Sequence, residues 1–161
     1  MHTNDSTWMQ PVLDVIKAAD PDLFGKIDAA DWTVTVVDEP DDLDYLLPKL
    51  DFGSYMSILS SLARANGVTV LNTPQAPAAL RGRTWLNRSF ISEEARSIKV
   101  PPFKFAAYTV VHEFTHWAGA DTEAPAYAAG REFALKMSEP SIAKRSDQTL
   151  ETVQKAAAHN R

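Results

Sequence analysis

The chain has 161 residues, 45% hydrophobic and 23% charged, with a net charge of −5. These values are ordinary for a globular protein, and the length suffices for one domain with a buried core. No cysteine occurs, which excludes disulfides, thiolate metal sites and a cysteine nucleophile.

The start, Met1 to Ser6, lacks the basic lead and apolar run of a signal peptide, and no apolar run approaches the ~20 residues that span a bilayer. The expectation is a cytoplasmic chain with no membrane partner. Charge is uneven: residues 1–60 are strongly acidic and residues 61–105 are net basic. Such asymmetry can mean self-complementary packing or an acidic face that repels nucleic acid; two differently solvated faces are the simpler account.

Trp8, Met9, Val12, Val15 and Ile16 recur at helical spacing and predict a helix over 6–19, ended by Asp20-Pro21. Pro11 points to a true start near Gln10. Residues 31–38 alternate and are β-branched, as in a strand. Residues 38–44 form an acidic loop. Its carboxylates invite calcium, but an EF-hand loop needs a Gly at its sixth position and a Glu at its twelfth, so the segment reads as a solvated connector. A helix over 55–66, with Tyr55, Ile58, Leu59 and Leu62 on one side, stops at Asn66-Gly67. Residues 67–71 and 83–91 are predicted strands, separated by a turn-rich stretch around Pro74 and Pro77. An acidic turn at 92–94 and a short strand over 96–100 follow. Arg81, Arg83, Arg88 and Arg96 gather in this region, to read an acidic substrate or a phosphate, or to pair with the acidic N-terminal third. Pro101-Pro102 launches the next helix.

That helix carries His112-Glu113-Phe114-Thr115-His116, the pattern H-E-x-x-H, behind the apolar run 106–111. Residues four apart share a helix face, so both imidazoles can hold one Zn²⁺. Glu113 between them can reach a zinc-bound water as general base, and zinc lowers that water's pKa from about 15.7 to about 7. Catalytic zinc takes three protein ligands and an open position. Gly119 is a natural helix stop, Asp121 or Thr122 can cap a new helix, and Pro125 is tolerated in its first turn. The chain therefore folds back and brings Glu123 to the depth of His116, as third ligand. Asp121 and Glu132 are the rivals: Asp121 is better suited to capping, Glu132 to a solvated face. Tyr127, one turn beyond Glu123, can stabilise an oxyanion or serve as a core aromatic. The helix from Glu123 ends near Met137. A polar helix over 146–159 carries a thin stripe of Leu150, Val153 and Ala157, and His159 is not a ligand.

The segment 97–140 resembles the zincin superfamily of metallopeptidases, and a Glu ligand makes it similar to the gluzincin branch. Glu123-Ala124-x-x-Tyr127-Ala128 resembles the E-A-x-x-F-A helix of ImmA/IrrE-type peptidases. His116-Trp117-Ala118-Gly119 is similar to the H-W-T-G of ArdC-like metallopeptidase domains. The gap from His116 to Glu123 is shorter than in those relatives. In a metzincin the third ligand would fall on Thr122, which cannot serve. The resemblance implies one zincin-like α+β domain over 1–161: a small, mostly antiparallel sheet packed on helices, with the H-E-x-x-H helix at its centre. It implies one Zn²⁺ per chain, hydrolysis of peptide bonds in a peptide or protein substrate, and a cleft edged by one of the strands 83–91 and 96–100. The alternatives are a catalytically silent zincin fold that binds a protein or nucleic acid partner, and a helical regulatory module without metal.

Overall fold

The computed structural model describes residues 1–159, without the side chains of residues 40, 41, 47–49, 156, 157 and 159. The element order is β1 (His2–Thr3), α1 (Ser6–Ala19), α2 (Pro21–Ala29), β2 (Thr33–Val37), a 3₁₀ segment (Pro40–Lys49), α3 (Phe52–Leu62), β3 (Gly67–Thr69), β4 (Arg83–Asn87), α4 (Arg88–Ser97), α5 (Pro102–Trp117), α6 (Glu123–Lys136) and α7 (Pro140–His159). The architecture is α+β, a four-stranded sheet among helices.

Local chemistry sets the helix boundaries. The Asp5 carboxylate accepts from the Trp8 amide at 2.9 Å and starts α1 at Ser6 despite Pro11. Asp20 ends α1 through its amide and caps α2 through its side chain, with Pro21 at the first helical position. Asp51 caps α3 and so moves its start ahead of Tyr55. The acidic stretch after β2 is not an open loop. Glu39 and Asp42 form a reciprocal capping box at the head of the 3₁₀ segment, so at least one of its carboxylates is already engaged.

The strand order is β1-β2-β4-β3. β1 runs parallel to β2 and β2 parallel to β4, while β3 runs antiparallel to β4. The expected mostly antiparallel sheet is thus corrected to a mixed one with two parallel pairings. The reason lies in the connections. The α1–α2 pair carries the chain from β1 to β2, and parallel neighbours require such crossovers. β4 is buried on both faces: Leu86 packs with Val34 and Val36 in the larger core, and Trp85 packs with Leu43, Tyr55, Ile58 and Leu62 in a smaller one beneath α3.

Two further expectations fail together. The strand predicted over 83–91 ends at Asn87, whose side chain accepts from the Phe90 amide at 3.0 Å and starts α4. The strand predicted over 96–100 is the end of that helix and a turn with Lys99 at φ 58°. Ile91 and Ala95, four apart, are the buried face that makes this segment helical. α7 also starts earlier than expected, because Ile142, Ala143 and Ser146 are buried against the rest of the fold.

Among the described residues, the expected pairing of arginines with the acidic N-terminal third is seen for one of the four. Arg88 bonds Asp38 at 2.6 Å and Asp5 at 2.8 Å, tying α4 to the ends of β1 and β2. Arg81 instead donates to the carbonyls of Pro74 and Ala76, organising the loop between β3 and β4.

Candidate metal centre

α5 is the innermost helix. Every residue from Phe105 to Glu113 on it is buried, which explains an apolar run without a polar face. His112 is 8% exposed and Glu113 4%, so burial alone would penalise both unless they are engaged. His112 and His116 lie one turn apart with ring centroids at 5.0 Å.

The end of α5 builds the rest of the cluster. Gly119 adopts φ 114°, a left-handed conformation that side chains resist. Its amide bonds the His116 carbonyl and the Ala120 amide bonds the Thr115 carbonyl, the paired bonds of a Schellman stop. The stop turns the Ala120 carbonyl back toward the helix, where it meets His116 Nδ1 at 2.9 Å. In the neutral ring, an Nδ1–H held there leaves Nε2 as the lone-pair nitrogen. The chain then reverses. Thr122 occupies the capping position of α6 without a side-chain capping bond, and Glu123 is the first helical residue.

Glu123 Oε2 lies 3.3 Å from His112 Nε2 and 3.6 Å from His116 Nε2. One ligand atom from each of the three residues lies within 4.8 Å of the others, so the group can hold a metal ion. Two imidazole nitrogens and one carboxylate oxygen, with a cleft in front, are a donor set that suits a first-row divalent ion. The two imidazoles hold the Glu123 carboxyl far below its ordinary range, and donating to that carboxylate pushes His116 up to about 9. Neither rival ligand joins the group. Asp121 lines the cleft outside it, and Glu132 is exposed further along α6.

Glu113 is handled differently. Its carboxylate turns from the ligand cluster toward β3, where Thr69 Oγ1 donates to Oε2 at 2.7 Å. Gly67 makes room for it: a Cβ at that position would stand 2.8 Å from Glu113 Cγ and 2.9 Å from Oε1. Burial raises the Glu113 carboxyl above its ordinary value, while the flanking imidazoles and Thr69 draw it back. Tyr127 meets the His112 ring edge-on with centroids at 4.6 Å, and burial raises its phenol. It lines the cleft, so both of its expected roles are geometrically open.

The cleft has a volume of about 520 Å³ and runs from the His-His-Glu cluster between β3, α4 and α7. Its strand wall is β3, the antiparallel edge of the sheet, and not either of the strands expected there. Sequence reasoning also missed Gly67, Thr69 and Tyr108 as cleft residues. No local signal marks them, since Thr69 reaches Glu113 across 44 positions of chain. Comparison with protein-family models, with curated proteins and with solved structures finds no match to this chain.

Proposed function

We propose that the protein is a zinc-dependent metallopeptidase that hydrolyses peptide bonds through a water activated by Glu113. The observation that carries this reading is the division of labour between two neighbouring carboxylates. Glu123 approaches both imidazoles, whereas Glu113, buried beside them, is kept out of the ligand cluster. A partner-binding module without chemistry has no use for that second carboxylate. The resemblance to zincins supports the same reading, as does an antiparallel edge strand along the cleft, which suits pairing with an extended substrate chain.

In this mechanism His112, His116 and Glu123 hold Zn²⁺. Bound there, zinc supplies Lewis acidity, which makes water acidic and polarises a carbonyl. Glu113 accepts the proton of the attacking water on a carboxylate oxygen and passes it to the leaving amine. Tyr127 lines the cleft, and in this reading its hydroxyl donates a hydrogen bond to the developing oxyanion.

The test is turnover of a peptide library together with elemental analysis. The wild-type chain is expected to bind one zinc and cleave. Glu113→Gln should keep the zinc and lose activity by roughly 10²–10⁴-fold. Turnover that persists in Glu113→Gln would reject the mechanism. Zinc binding with no cleavage of any peptide would favour the catalytically silent fold.

A further inference from the structure

We propose that Trp32, Thr84 and Thr69 form a one-way hydrogen-bond relay through the sheet that positions the Glu113 carboxylate. The rate effect expected below rests on the peptidase reading; the relay itself does not. Trp32 Nε1 lies 2.8 Å from Thr84 Oγ1, Thr84 Oγ1 lies 2.7 Å from Thr69 Oγ1, and Thr69 Oγ1 lies 2.7 Å from Glu113 Oε2.

With the Glu113 carboxyl ionised, the direction is forced by chemistry. An indole nitrogen only donates, a hydroxyl carries one proton, and an ionised carboxylate only accepts. With Thr69 donating to Glu113, the Thr84 proton must point at Thr69, and a Thr84 lone pair must face Trp32. The Glu113 carbonyl, 3.4 Å from Thr69 Oγ1, is the poorer acceptor. Every proton is therefore ordered from the buried indole toward the carboxylate.

The relay crosses four parts of the fold: the residue before β2, then β4, β3 and α5. Trp32 and Thr84 are fully buried, so water does not compete for their bonds. In such surroundings linked hydrogen bonds polarise one another. The relay also returns to its origin. The Trp32 ring packs on Phe114 at 5.3 Å and Trp117 at 6.3 Å between centroids, and both belong to α5. The helix that carries Glu113 thus holds the indole that orders the protons aimed at Glu113. Oε2 is fixed by Thr69. Among the described residues Oε1 has no protein donor and lies against Gly67, 2.9 Å from where a Cβ at that position would stand. Packing alone would not require hydroxyls at 69 and 84, since valine fills nearly the same volume.

The experiment uses the zinc-loaded, ¹⁵N-labelled full chain, with the Trp32 indole signal identified by its loss in Trp32→Phe. Glu113→Gln is expected to shift that signal. The shift should survive in a Thr84→Ser background and vanish in a Thr84→Val or Thr69→Val background. In turnover assays Thr84→Val should lower kcat by roughly tenfold, with KM and zinc stoichiometry unchanged, and Thr84→Ser should restore it. An indole signal indifferent to Glu113→Gln, or a Thr84→Val enzyme with wild-type kcat, would overturn the relay. If the indole responds as expected but the wild-type chain cleaves nothing, the relay stands and the peptidase reading falls. If the wild-type chain cleaves and the indole is silent, the relay alone falls.

Discussion

The two histidines of the cluster are supported unequally. His116 Nδ1 has the Ala120 carbonyl as partner, whereas His112 Nδ1 is buried with no hydrogen-bond partner among the described residues. Glu123, which meets both, is then the residue on which the geometry most depends. Glu123→Ala should weaken zinc binding by at least about 100-fold, as read by competition with a chromogenic chelator. An unchanged affinity would move the third ligand to Asp121. Gly67→Ala makes a separate prediction. Its Cβ would fall within 3 Å of Glu113, so it should cost about 1–3 kcal/mol of stability and depress kcat while leaving zinc in place. Denaturant unfolding and turnover on the same sample check both halves. The histidines and Glu123 were legible because they sit within one short stretch, where helical spacing and a glycine stop decide who faces whom. Thr69 and Gly67 were not, because their role depends on which strand the sheet places beside α5.

Among the elements, α4 shows how one side chain can change a segment's identity. Residues 83–91 contain β-branched and aromatic residues suited to a strand, and the first five do form one. Asn87 ends it. Its Oδ1 caps α4 while its Nδ2 donates to the Leu62 carbonyl at 3.1 Å, joining the end of α3 to the start of α4. Asn87→Ala removes a cap and leaves a buried carbonyl unpaired, so it should destabilise the protein by about 2 kcal/mol in urea titration. A loss within ~0.5 kcal/mol would mean that α4 starts without help. The sheet order was illegible for a related reason. β1 is a two-residue strand, too short to leave a pattern, and its parallel pairing with β2 follows only from where α1 and α2 pack.

Across the whole molecule, ion pairs bind the acidic N-terminal third to later helices. Lys136 holds Asp20 below the ordinary carboxylate value of 3.8, and Arg88 does the same to Asp38. Each folded pKa lies below the unfolded one, so the stabilisation is complete above the unfolded value and is lost as pH falls through the folded value. The melting temperature should therefore decline from about pH 5 toward pH 2, and less steeply in an Arg88→Met, Lys136→Met double variant. Parallel slopes for the two proteins would show that other carboxylates dominate. The turn at Gly119 has a consequence for how the chain reaches this state. Because the helix stop and the delivery of Glu123 are one local event, the three candidate ligands are separated by only a few residues, and closing that loop costs little entropy. Even an unstructured chain then presents them at high effective concentration. Zinc would bind the unfolded ensemble appreciably, so it would stabilise the native state less than its native affinity alone suggests. In exchange it could pin α5 to α6 early, and provide a seed against which the more distant strands assemble.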